Sequence, residues 1–435
     1  MKTNNAMKKT IKKRLTECNV YIGQLEEQNR LLSRNLTLAT SQREATVEEK
    51  FEQRREAYLR PVREMAAYVT GSYEFRHNVV SDSYEYRRKD DPDAAWLPVD
   101  ERQLNTIMNH VQDDGRVYCL KSLVVQRIRS ELALDYHPVR AWLDMVRGTW
   151  DGQDRTAELA GRICPGDYCR HMVHLWLRAM VAQWLGRDQE HANAVMLLLV
   201  SPRQGLHKST FLRQLLPPEL TAYYTDDFSL TSKGNATRKL TEFALVNIDE
   251  FDKLPSQKMP ELKTLMQTMS PSFVRAYKGS FNRLPRIASF AGTSNQRALL
   301  TDRSGSRRFL ILEPKDVIPV GNLDHRQLYA QLLEEVERGD RCYFTKQEEQ
   351  QMERMNQMYQ KLTPLEELIS KFYRAPRQDE EGCYLSARQL MTQLMPHKPS
   401  LLRTVSETHF ARTLGRMGLP QLHRRDGNTW HVVAL

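Results

Sequence analysis

Hydrophobic residues recur along this chain with more than one period, and the changes of period mark its regions. Ile22, Leu25, Leu32 and Leu36 fall on a seven-residue a/d seam, with Asn29 at the a position between them. That spacing predicts a short coiled coil carrying one polar a residue, and it fits a single amphipathic helix docked on its own protein equally well. The next stretch, "SQREATVEEKFEQRREAYLRPVREM", is charged and helix-prone until Pro61. From Gly71 the texture changes: "YEFRHNVVSDSYEYRR" alternates, turns and alternates again, as a β-hairpin does. A helix follows with Asp100 as its N-cap and Leu104, Ile107, Met108 and Val111 on one face. "SLVVQRIRSELA" reads as another short helix, and the segment closing near Ile163 completes a small α+β region.

Residues 168–185 read as a strong helix, with Met172, Leu175, Trp176, Ala179 and Met180 recurring at three and four. Four short apolar runs then alternate with helical segments: "AVMLLLV", "FALVNIDEFDKL", "RIASFAGTSN" and "RRFLILEP". Strands alternating with helices predict a mostly parallel α/β sheet. From about Gln347 the chain is helical and ends in a Gly-Asn hairpin, a winged-helix pattern. The expected domains are a helical arm over 1–70, the α+β region over 71–163, the α/β core over 164–345 and the helical C-terminal region over 346–435.

The 435 residues suffice for two to four domains. No apolar run is long enough to span a bilayer, and no apolar signal core follows the basic N-terminus, so a cytoplasmic protein with no membrane partner is expected. Six cysteines in this length do not make a disulfide scaffold. Cys164 and Cys169, with His171 beyond, resemble half of a zinc site without a matching second pair. The net charge of +10 favours a polyanionic partner, of which nucleic acid is the commonest.

The chemistry concentrates at the ends of the apolar runs. "SPRQGLHKSTFLRQLLP" follows the first of them with the outline of a phosphate-binding loop, although Pro202 and His207 stand where such loops carry glycine. Gln204, Gly205, Lys208, Ser209 and Thr210 are the candidate nucleotide-binding residues. Backbone N–H groups face the phosphates, the lysine reaches the terminal ones, and the following hydroxyl binds magnesium. The second run delivers Asp249 and Glu250: Asp249 to hold the metal with Ser209, Glu250 to polarise the attacking water. Asn295 ends the third run, where it contacts the γ-phosphate or that water. Arg307 and Arg308 precede the fourth, where an arginine can reach a neighbouring subunit's γ-phosphate. The expected ligands are ATP and Mg2+.

Together "QGLHKSTFLRQLL", "NIDEFDK", "LPRIASFAGTSN" and "LLTDRSGSRRFL" resemble the virulence-associated E (VapE-like) ATPases of phages and Bacteroides-type mobile elements, relatives of superfamily 3 helicases. The resemblance covers roughly residues 70 to 345. It implies an AAA+-like P-loop NTPase core that assembles as a homo-oligomeric ring, usually a hexamer, with ATP between subunits and a primase encoded separately. Lys208, Ser209, Asp249, Glu250, Asn295 and one of Arg307 and Arg308 carry over onto the family's motifs. The resulting fold class is α/β: an AAA+-like P-loop NTPase core with an N-terminal helical or coiled-coil arm, a small α+β region and a C-terminal winged-helix-like domain.

Between the second and third runs, "FVRAYKGSFNRLPRI" reads as a basic hairpin turning at Lys278-Gly279-Ser280. Lys278, Arg275, Tyr277 and Arg283 are the candidate contacts to single-stranded DNA, with Arg286 adding charge and the aromatic rings offering stacking faces. In the resembled superfamily a hairpin here projects into the ring channel. Arg416, His423, Arg424 and Arg425 are candidates for duplex phosphates or for subunit docking. These readings converge on an ATP-dependent DNA helicase or translocase. A DNA-binding ATPase switch without unwinding shares every motif. A P-loop kinase is the third alternative, but it leaves Asn295, the paired arginines and the basic hairpin unexplained.

Overall fold

The heptad-spaced N-terminal segment is one helix, α1 (Lys2–Ala39), in the computed structural model, which describes residues 2–39, 47–187, 193–230, 233–274, 281–283, 285–300, 303–377, 380–424 and 427–435. It packs against α2 (Val47–Ser72), which runs straight through Pro61, where a break was expected. Proline inside a helix removes one backbone donor and costs about 3 kcal/mol. Met65 and Val69, both buried in the next turns, anchor the distal half and offset that cost.

These helices belong to the first of two units, Met1–Pro138. Its sheet follows, with β1 (Tyr73–Asn78), β2 (Ser83–Arg88) and β3 (Leu97–Pro98), then α3 (Glu101–Asp113), α4 (Lys121–Ile128) and β4 (Leu134–Tyr136). The order is β3-β2-β1-β4; β1 and β2 form the expected antiparallel hairpin, and β4 joins β1 in parallel. Asp100 caps α3 by accepting from the Gln103 N–H, and Leu104, Ile107, Met108 and Val111 are buried, as their spacing predicted. They meet Val69, Tyr73 and Phe75 in one core.

The second unit, Val139–Leu435, starts with three helices: α5 (Pro138–Val146), α6 (Arg155–Ile163) and α7 (Asp167–Leu185). Cys164 and Cys169 are joined in a disulfide. Among the described residues no group of three or more His, Cys, Asp or Glu side chains is placed to hold a metal ion. The chain then winds β5 (Met196–Val200), α8 (Lys208–Arg213), β6 (Tyr224–Thr225), α9 (Lys233–Glu242), β7 (Leu245–Ile248) and α10 (Met259–Gln267). A short hairpin, β8 (Ser272–Val274) and β9 (Phe281–Arg283), precedes β10 (Ser289–Ser294), β11 (Phe309–Leu312) and α11 (His325–Arg338).

Five of these strands form one sheet in the order β11-β5-β10-β7-β6, and every pairing in it is parallel. The protein is thus mixed α/β with a parallel sheet among many helices. Its central strands are apolar on both faces because both faces are covered. Met196, Leu198, Val246 and Phe290 pack with Ala236 and Leu240 of α9 and with Leu262 and Met266 of α10. The alternate residues Leu197 and Leu199 point to the other face and are equally buried. Each such side chain contributes about 1.5–3 kcal/mol. The two-residue strand β6 escaped the sequence pattern, being too short to show a period.

Beyond α12 (Lys346–Met355) the chain forms α13 (Pro364–Phe372), β12 (Tyr373–Arg374), β13 (Cys383–Ser386), α14 (Ala387–Leu394), α15 (Pro399–Leu402), α16 (Glu407–Arg416) and the hairpin β14 (Gln421–Arg424) and β15 (Gly427–Ala434). Thr345, Thr363 and Ser386 close capping boxes at α12, α13 and α14. The strand β15 pairs antiparallel with both β13 and β14 over a core of Leu390, Phe410, Leu414 and Val432.

Candidate functional site

The carboxyl ends of β5, β7 and β10 lie side by side, and the candidate residues that follow them in sequence meet there. After β5 the backbone turns back through Gly205, at φ 74°, and His207, at φ 60°. Both are left-handed. A Cβ on Gly205 would meet nothing within 4 Å, so its φ, not crowding, requires glycine. His207 adopts the same region at a cost of about 1–2 kcal/mol. The loop therefore keeps a glycine-like path although the glycine is missing, and the His207 ring is exposed. Pro202, Arg203 and Gln204 are exposed, and the Arg203 guanidinium donates to the Lys315 carbonyl at 2.7 Å.

Lys208 opens α8 and is only 8% exposed. Its Nζ donates to Asn295 Oδ1 at 2.9 Å and to the carbonyls of Ser201 and Arg203 at 3.3 and 3.4 Å. Burial pulls its pKa below the ordinary lysine value, and the nearby carboxylates of Asp249 and Asp252 oppose that shift. Ser209 Oγ donates to Asp249 Oδ1 at 2.8 Å, and Thr293 Oγ1 donates to the same oxygen. Ser294 Oγ donates to Asp252 Oδ1 at 2.8 Å, and the Asn295 N–H donates to it at 3.4 Å. Two neighbouring hydrogen-bonded groups, Lys208 with Asn295 and Asp252, and Ser209 with Asp249 and Thr293, thus make a polar cluster at the ends of three adjacent strands.

Glu250 follows Asp249 in a left-handed conformation, φ 51°, and its carboxylate pairs with Lys253 at 2.6 Å. Gln204, Gly205 and Thr210 are exposed beside the cluster in sequence. Arg307 stands apart from these contacts: on the turn before β11 its guanidinium pairs with Glu349 of α12 at 3.1 Å and is half exposed. Arg308 beside it is half-buried. Asp252 and Thr293 were not among the sequence candidates. The second carboxylate of "DEFDK" was the available signal for Asp252, but its partners lie 42 and 43 residues away.

The basic segment does form a hairpin: Ser272 pairs with Arg283, Phe273 with Asn282 and Val274 with Phe281. Arg275, Tyr277 and Lys278 lie outside the described residues; Arg283 is on β9 opposite Ser272. Arg286 corrects the sequence reading. It is wholly buried, and its guanidinium donates to the carbonyls of Ala288 at 2.6 Å, Leu265 at 3.2 Å, Asn193 at 3.0 Å and Met266. Burial pushes its pKa down to about 9. It braces the end of α10 against the sheet and offers nothing to solvent. In the C-terminal region Arg416 donates to Thr413 at 2.9 Å, and His423 bonds Asn428 across the β14–β15 hairpin at 2.7 Å. Arg424 lies on β14, and Arg425 lies outside the described residues.

No curated protein matches the chain. Among solved structures it resembles the apo NrS-1 C-terminal region (305–718), at 10% identity and a TM-score of 0.40, covering 86% of this chain and 99% of that one. A second apo structure of the same region, in an A form, matches at 11% identity and a TM-score of 0.41, with the same coverage. No helix among the described residues is long and apolar enough to cross a membrane. Residues 362–432 match a domain of unknown function described from a B. theta gene, DUF3874. Residues 143–361, just over half of the chain, match the virulence-associated protein E-like domain, and this span contains the whole polar cluster at the strand ends; the protein belongs to the virulence-associated protein E-like family.

Proposed function

We propose that this protein is a magnesium-dependent ATPase that moves along or unwinds DNA in the replication of a mobile element or prophage. The observation that carries this is the cluster around Lys208: a buried ammonium held by carbonyls and an amide, beside the carboxylates of Asp249 and Asp252. In parallel α/β sheets ligands bind outside the carboxyl ends of the strands, where the strand order reverses. Here that point is β5, flanked by β10 on one side and β11 on the other, and the Lys208 loop leaves it. Two of the few non-glycine residues with positive φ, His207 and Glu250, sit at this place, which fits backbone strain held for a site.

The donor set suits a nucleoside triphosphate with its metal. Loop N–H groups around Gly205 face the phosphates, and Lys208 leaves its carbonyls to reach the terminal ones. Ser209 and Asp249 would hold Mg2+, which would supply neutralisation of charge on the transferred phosphoryl group. Glu250 orients the attacking water once Lys253 releases it. Asn295, positioned by Asp252, fixes that water or the γ-phosphate. Arg307 or Arg308, at the surface near α12, serves a neighbouring subunit in a ring. The hairpin β8–β9, which carries Arg283, grips single-stranded DNA together with Lys278, Arg275 and Tyr277 of the sequence between its strands. The order α13, β13, α14, α16, β14, β15 supports a winged-helix reading of the C-terminal region and contact with duplex DNA there.

Lys208→Ala is expected to abolish ATP hydrolysis by pure protein, and Glu250→Gln to retain ATP binding while hydrolysing it poorly. Hydrolysis that survives Lys208→Ala refutes the site. Strand displacement then separates motor from switch: Lys278→Ala should lose unwinding and keep ATPase activity, whereas wild-type protein that hydrolyses ATP without displacing a strand is a DNA-binding switch.

A further inference from the structure

Helix α1 spans about 57 Å at the ordinary rise per residue. Its apolar seam is longer than the part first evident from the spacing. Counting back from Asn29 at a, Ile22 and Leu15 also stand at a, while Leu32, Leu25, Cys18 and Ile11 stand at d. Ile11, Leu15 and Ile22 are 50%, 56% and 50% exposed, and Cys18 is exposed. Leu25 and Leu32 are half-buried. Among the described residues nothing covers the seam from Ile11 to Ile22.

We propose that this face is closed by α1 of a second copy of the protein, in a parallel, in-register two-stranded coiled coil. Asn29 decides the direction. In the parallel arrangement a faces a, and the two Asn29 amides satisfy each other. In an antiparallel pair a faces d, which leaves the amide against an apolar side chain. The flanking positions agree. Arg14 at g faces Asn19 at e of the second copy, Tyr21 faces Glu26, and Gln28 faces Ser33. No like charges meet in that register. The partner is identified by self-complementarity, and the proposal does not depend on the nucleotide site.

The parallel register places Cys18 directly opposite Cys18. The test uses the full chain carrying Cys383→Ser, which removes the other exposed thiol, without nucleotide. Brief oxidation by copper phenanthroline, which takes two electrons from a thiol pair to make one disulfide, should join most of the protein into covalent dimers on a non-reducing gel. Adding Ile22→Asp should lower the yield at least tenfold. Moving the thiol off the seam, as Cys18→Ser with Val20→Cys, should give no dimer. Circular dichroism of the Ile22→Asp protein checks that the rest of the chain remains folded. A wild-type seam that gives no Cys18-dependent dimer overturns the proposal, as does a dimer that forms equally with Ile22→Asp or with the thiol moved by Val20→Cys.

Discussion

Arg286 and Lys208 are buried cations at opposite ends of the five-stranded parallel sheet, and the two are held differently. At the amino end Arg286, wholly buried, is surrounded by carbonyls of α10, Asn193 and Ala288. Its partners are backbone groups that cannot leave, so the guanidinium is part of the frame. At the carboxyl end Lys208 is nearly as buried, but two of its three bonds are long and the shortest runs to a side-chain amide, that of Asn295, which can rotate away. A flexible ammonium with weak partners and neighbouring carboxylates can exchange those partners for phosphate oxygens. Burial of a cation is therefore no mark of function; the exchangeability of its partners is.

The largest expected effect tests the structural side. Arg286→Leu strands several buried carbonyls and should lower the unfolding free energy by about 3–5 kcal/mol in urea denaturation. A near-neutral result would erase the contrast. On the functional side, Lys208→Ala should cut hydrolysis at least about 100-fold, near 2.7 kcal/mol in barrier, while shifting stability by under about 1 kcal/mol. A comparable loss of stability would make Lys208 another frame residue.

Glu348 offers a third way to hold a charge, half-buried, with exchange of a proton as its probe. Burial pushes its carboxyl up, but hydrogen bonds from Arg341, His171 and Thr345 outweigh this and hold it at about 2. Its folded pKa lies below the unfolded value near 4.3. The stability it contributes is thus complete above about pH 4.5 and is lost as pH falls toward 2. Acid titration of unfolding should show about 2 kcal/mol less loss over that window in Glu348→Gln than in the wild type. The smallest expected effect is at Asp252. Asp252→Asn keeps the shape but weakens the hold on Ser294 and Asn295, and should lower kcat about tenfold with little change in the KM for ATP. A change in KM alone would take Asp252 out of the positioning role.

Much of this was legible because it is local. The cap at Asp100, the buried face of α3, the β1–β2 turn and the apolar strands each depend on neighbours a few residues away. The candidate cluster was also legible in part, since Lys208, Asp249 and Asn295 each follow an apolar run. Asp252 and Thr293 were missed because their significance is a contact more than forty residues distant. Pro61 was misread because the core around Met65 and Val69 outweighs a local propensity. Arg286 was misread because it sits among basic residues, with nothing local to set it apart.

By itself the sequence determined which segments are apolar on both faces, where they stop, and which chemical groups stand at those stops. It also set the heptad phase of α1, since periodicity is a property of neighbouring residues. Tertiary structure alone decided the strand order that brings β5 between β10 and β11, the burial of Arg286, and the union of Lys208 with Asn295. Those depend on pairing between segments tens of residues apart, where the free energy lies in packing and hydrogen bonds that no local pattern encodes.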